Sequence, residues 1–70
     1  MSIGQKVASL RVRDGMTQEE LAKRLNVTQV SVSRIERGHD IPTALRLAEL
    51  ADIFGCTTDE LLGREPAEGR

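Results

Sequence analysis

The 70-residue chain has almost none of the residue types on which metal and redox chemistry is built. Cys56 is its only cysteine, so no intrachain disulfide and no cysteine-built metal site is expected. His39 is the only histidine, which leaves metal ligation and a histidine-dependent catalytic pair poorly supplied. Phe54 is the only aromatic residue and is expected in the core. No run of about 18 apolar residues occurs, so no transmembrane span is predicted. No charged stretch followed by an apolar one opens the chain, so no secretory signal is read there. A reducing cytoplasm is the expected compartment. Neither a nucleophile–base pair nor a glycine-rich phosphate cradle is visible, so no enzyme, cofactor, metal or small-molecule ligand is expected.

What is present reads as a single small domain. A chain this short buries a thin core, and such domains often gain stability from a partner chain. Positive charge is not in excess: the net is −1. Its distribution is uneven. Residues 1–39 hold seven basic and four acidic residues, a net of +3, whereas residues 40–70 hold three and seven, a net of −4. One end could face phosphates while the other faces away; ordinary surface scatter is the plainer account of the same numbers.

Helix punctuation is regular along the chain. Ser2 and Gln5 fit a capping box, followed by Ile3, Val7 and Leu10 at helical spacing. Asp14 and Gly15 stop that first helix. Thr17 and Glu20 form a second box, with Leu21, Ala22 and Leu25 as the apolar stripe. Thr28 opens a third helix whose inward residues are Val32 and Ile35, and Gly38 ends it. Thr43 caps a fourth helix with Leu47, Leu50, Ala51 and Phe54 inward, closed by Gly55. Thr57 and Glu60 form a third capping box, which opens a short fifth helix with Leu61 and Leu62. Residues 1–63 are thus predicted to form the domain, and residues 64–70 a frayed polar tail. The segment 27–33 alternates like a strand, but its place between capped helices predicts helix, with Val30 exposed. Met16 is expected at the junction of the first two helices, and Cys56 in the core as a small apolar residue.

The gap between the second and third helices carries the functional reading. Helix two ends near Leu25 and helix three begins at Thr28, so the linker forces a sharp crossing. Asn26 sits where the chain must turn, and asparagine tolerates a left-handed conformation. Residues 17–37 therefore form a helix-turn-helix. The outward face of its second helix carries Gln29, Val30, Ser33 and Arg34, where a merely solvated face would carry Glu or Lys. Glutamine pairs bidentately with adenine and arginine with guanine, and valine can meet a thymine methyl. Helix N-termini near Gln18 and Gln29 offer unpaired amides to phosphate. Arg37, Gly38 and His39 follow the third helix and could reach the backbone on the other side.

The stretch MTQEELAKRLNVTQVSVSRIERG, followed by IPTALRLAELADIFGCTTDELL, resembles the Cro/CI-type helix-turn-helix family of phage repressors and bacterial regulators. The resemblance spans about residues 3–62. It implies an all-α fold, a compact five-helix, lambda-repressor-like DNA-binding domain that usually binds palindromic operators as a homodimer. By that likeness the base-reading positions are Gln29, Val30, Ser33 and Arg34. The phosphate-contacting positions are Gln18 with the flanking caps Thr17 and Thr28, and Arg37 and His39. It also implies a partly buried ion pair between Arg11 and Glu36 that ties helix one to the recognition helix. Two departures stand out. The glycine common in the family's turn is Asn26 here. The loop before helix four carries Asp40 in place of the basic phosphate clamp of some phage repressors, with Arg46 as a partial substitute.

The function expected is a transcriptional regulator, a repressor, acting on double-stranded DNA. The adjacent Leu61 and Leu62 suggest a dimer surface at helix five and the end of helix four. No ligand domain fits in this length, so control by concentration or by a partner is expected. The same fold also serves protein-interaction modules such as antitoxins or phage accessory factors, which is the alternative. The chain could equally be the DNA-binding part of a longer product.

Overall fold

A hydroxyl opens every helix of the computed structural model, which describes residues 2–64. Five helices follow one another: α1 (Ile3–Arg13), α2 (Gln18–Leu25), α3 (Gln29–Glu36), α4 (Ala44–Phe54) and α5 (Thr58–Leu61). Their N-caps are Ser2, Thr17, Thr28, Thr43 and Thr57, and each side-chain oxygen accepts from the backbone N–H three residues on. Each such cap is worth about 1 kcal/mol against alanine. The box closes reciprocally at two of them: the Ser2 N–H donates to Gln5 at 3.0 Å and the Thr17 N–H to Glu20 at 2.8 Å. The third box predicted, at Thr57, does not close: only the forward bond forms, from the Glu60 N–H at 3.1 Å. The Glu20 carboxyl is held below its ordinary pKa by the Thr17 backbone N–H and then its hydroxyl.

The helices also stop alike, through a left-handed residue. The turn between α2 and α3 is the one place where a residue other than glycine adopts it among the described residues: Asn26 has φ 59°. The Asn26 N–H donates to the Lys23 carbonyl (3.2 Å) and the Val27 N–H to that of Ala22 (3.0 Å), a two-bond close for orphan carbonyls. Only two residues then separate Asn26 from the first residue of α3. Segment 27–33 contains no strand; from Gln29 onward it is helix.

Each helix turns its apolar stripe to one core. Val7 and Leu10 come from α1, Leu21, Ala22 and Leu25 from α2, and Val32 and Ile35 from α3. Leu47, Leu50, Ala51 and Phe54 come from α4, and Leu61 from α5. Met16, Val27 and Cys56 pack half-buried against this cluster. Burial pushes the Cys56 thiol above its ordinary pKa, so it is protonated at neutral pH. Helix α3 packs chiefly on α1 and α2, which leaves its remaining face to solvent.

The dimer surface predicted from the two leucines needs correction. Leu61 is 1% exposed and sits inside the core, whereas Leu62 is 37% exposed. Leu61, the last residue of α5, turns into the core, and Leu62, its C-cap, is left at the surface. The C-terminal tail predicted over 64–70 lies, beyond Arg64, outside the described residues.

Candidate nucleic-acid interface

A chain of polar contacts positions the exposed face of α3. Glu36, in its last turn, receives Arg11 of α1 through two bonds, Nε to Oε2 at 2.7 Å and Nη2 to Oε1 at 3.1 Å. Arg11 also donates from Nη1 to the Met16 carbonyl at 2.8 Å. The side chains of Arg11 and Glu36 are 15% and 7% exposed. Gln18 of α2 donates from Nε2 to the same carboxylate at 3.0 Å. Its Oε1 then faces Gln29, which approaches at 3.4 Å from the N-terminal turn of α3. One carboxylate therefore joins α1, α2 and α3, and the last link of the chain is a side chain of the outward face. Charge-assisted bonds at low exposure are the strong ones, so this cluster sets the angle of α3.

Gly4 contributes to the same junction through what it lacks. A Cβ at residue 4 would lie 2.3 Å from the Ile35 carbonyl oxygen and 2.7 Å from that of Glu36. The start of α1 thus lies against the end of α3 with no room for a side chain.

On the outward face, Gln29, Val30 and Arg34 are exposed and Ser33 is half-buried. Gln18, Gln29, Val30, Ser33 and Arg37 line one open hollow of about 280 Å³. The structure brings these five together. It does not bring in Arg34, which turns toward the loop after α3. There its Nε donates to Asp40 Oδ2 at 2.9 Å and its Nη2 to Oδ1 at 3.1 Å. The Arg34 hydrogen bond holds the Asp40 carboxyl below its ordinary pKa, and Asp40 in turn raises the guanidinium.

The groups expected to meet phosphate divide by what they already bond. The Thr17 N–H is taken by Glu20 and the Thr17 hydroxyl accepts from the Glu20 N–H. The Thr28 hydroxyl accepts from the Ser31 N–H and lies 3.2 Å from the Ser31 hydroxyl. The Gln18 side chain is engaged at both ends, through one N–H of Nε2 and through Oε1, and its backbone N–H, at the first helical position, is a further donor. Arg37 and His39 are exposed. Arg46, the expected partial substitute for a phosphate clamp, is engaged within the fold. Its Nη1 donates to the Leu25 carbonyl at 3.0 Å and to Glu49 at 2.7 Å, which seals the C-terminal end of α2.

Three features of this site are poorly marked in the sequence. Gly4 gives one weak signal, a glycine inside a helical pattern. Asp40 is six residues from Arg34 and meets it only because Gly38 reverses the chain. Gln18 reads as a surface residue until Glu36 is placed beside it.

A helix-turn-helix family model matches residues 7–61. The chain belongs to the helix-turn-helix family. It is 34% identical over 65 residues to the HTH-type transcriptional regulator ImmR of Bacillus subtilis, covering 93% of this chain and 51% of that protein. It is 40% identical over 60 residues to the HTH-type transcriptional regulator y4dJ of Sinorhizobium fredii, covering 86% of this chain and 78% of that one. In three dimensions it is similar to the P22 c2 repressor, solved in complex with a synthetic operator. That match has a TM-score of 0.85 at 26% identity and covers 93% of this chain and 98% of the repressor chain. The chain spans about half the length of ImmR, and less of some other relatives.

Proposed function

We propose that this protein is a cytoplasmic, sequence-specific transcriptional regulator, a repressor, that binds double-stranded DNA at a palindromic operator as a homodimer. The observation that carries this reading is the α3 face. Gln29, Val30, Ser33 and Arg34 are left over by a core that uses Val32 and Ile35 of the same helix. The helix that presents them is fixed at both ends by the Glu36 cluster. Laid in the major groove, Gln29 would pair with adenine, Arg34 with guanine, Val30 would meet a thymine methyl and Ser33 either base. Gln18, Thr17, Thr28, Arg37 and His39 would meet phosphates on either side and set register. The likeness to the P22 c2 repressor, solved in complex with a synthetic operator, supports DNA as the partner. No catalytic role or cofactor enters this reading.

In the dimer, two copies of α3 sit about 34 Å apart, one turn of DNA. Leu62 is the member of the leucine pair that can face a second copy. A second surface is favoured by Ile41 and Leu45, the two most exposed large apolar side chains among the described residues. Sedimentation of Leu62→Glu and Ile41→Glu separates them, since only the variant at the true contact becomes monomeric.

In vitro selection from a random duplex pool tests the function. A palindrome with fixed half-site spacing is the expected result; recovery of no preferred sequence would favour a protein-interaction module instead. Few basic residues flank the face, so the affinity should fall with salt less steeply than in a strongly basic domain.

A further inference from the structure

We infer that Asp40 is a specificity-determining residue: it grips one edge of the Arg34 guanidinium so that the other edge is presented to a guanine. The inference rests on the reading of α3 as a base-reading helix.

A guanidinium carries five N–H groups in a fixed plane. Asp40 takes two of them, the one on Nε and one on Nη2. These form the side edge of the group. The far edge, one N–H on Nη1 and the second on Nη2, stays free. Those two are parallel donors, the arrangement that meets guanine O6 and N7. The pair therefore aims the arginine without consuming the donors it reads with.

Asp40 is itself held to the same residue through the main chain. Gly38, at φ +81°, reverses the chain after α3. The His39 and Asp40 N–H groups then both donate to the Arg34 carbonyl, at 2.9 and 3.3 Å. Arg34 is thus bound by this turn at its carbonyl and at its guanidinium.

The consequence is a division between affinity and discrimination. An unheld arginine orders several torsions when it meets a base, or swings away to a phosphate. A held one arrives oriented. Asp40 also places a negative charge at the edge of the DNA-facing surface, which weakens attraction to every duplex alike. Side chains of Arg34 and Asp40 are 48% and 47% exposed, so the pair biases the arginine and does not lock it.

The test uses the operator selected by the wild-type chain and single-base variants of it. Arg34→Ala first identifies the base pair that Arg34 reads. Asp40→Ala and Asp40→Asn should then lower discrimination at that base pair by about twofold to fivefold, the range an exposed ion pair can set. Discrimination at the other positions should hold, and binding to random duplex should hold or tighten. Circular dichroism confirms that both variants fold. Unchanged discrimination at the Arg34 base pair would overturn the inference. So would sharper discrimination with tighter operator binding, which would make Asp40 a competitor of DNA. If wild type selects no sequence, or Arg34→Ala changes no preference, the base-reading premise fails before Asp40 is tested.

Discussion

Arg34 and Glu36 sit two residues apart on α3, and each meets an opposite charge from another segment. The Glu36 pair is nearly closed to water, shares its carboxylate with Gln18 and spans 25 residues of chain. The Arg34 pair is half exposed and spans six. Their bond lengths are alike, so geometry alone does not separate them. Burial does. Removing one partner of the first strands a charge where water cannot solvate it, so this pair is a strut. Removing a partner of the second hands the other to solvent, so the fold loses little with it. One short helix thus has an anchored face and an adjustable face, divided by the line between Ile35 and the solvent.

Substitutions can break that contrast in order of expected effect. Glu36→Ala should cost about 3 kcal/mol in urea unfolding, because it strands Arg11 and leaves Gln18 without its acceptor. A loss comparable to a surface mutation would make the two pairs equivalent. Gly4→Ala should cost about 2 kcal/mol, since the new methyl meets backbone oxygens that cannot rotate away. Its unfolding should lose cost when combined with Glu36→Ala, because both act at the α1–α3 junction. Arg34→Ala should leave the melting temperature in place while preference at one base pair drops about tenfold. A lowered melting temperature with intact preference would reverse the assignment of the two pairs.

Acid should give the smallest effect. Asp14, Glu20 and Asp40 have carboxyls held below their ordinary values, chiefly by the Arg13 hydrogen bond, the Thr17 backbone N–H and the Arg34 hydrogen bond respectively. A depressed folded pKa stabilises the fold above the unfolded value, about 4, and that contribution is lost as pH falls through the folded value. Melting temperature attributable to these groups should therefore be flat from neutral pH to about 5 and fall only below the ordinary carboxylate range. A decline that already starts above pH 6 would show that these carboxyls are not its cause.

Much of the fold is legible residue by residue. Ser2, Thr17, Thr28, Thr43 and Thr57 mark the helix starts, and the apolar spacings of Val7 and Leu10 or Leu47, Leu50 and Phe54 mark the inward faces. Gln29, Val30 and Arg34 stand out as exposed for the same reason, being the residues the stripe of α3 leaves over. Leu61 and Leu62 show where such reading stops. A four-residue helix has too few positions to define a stripe, and only packing on α1 and α4 decides which leucine turns in. Arg46 is a similar case: as a lone arginine at a helix start it suits phosphate, but the folded chain puts the Leu25 carbonyl within its reach.

Caps, stops and stripes were written in neighbours three or four residues apart, where a hydroxyl, an αL residue or a 3.6-residue period acts on its own backbone. They required nothing from the rest of the chain. The meeting of Arg11 with Glu36, of Gly4 with the end of α3, and of Arg34 with Asp40 was settled by how helices and turns stack. Such contacts depend on where an element lands after the core has closed, and no local rule carries that information.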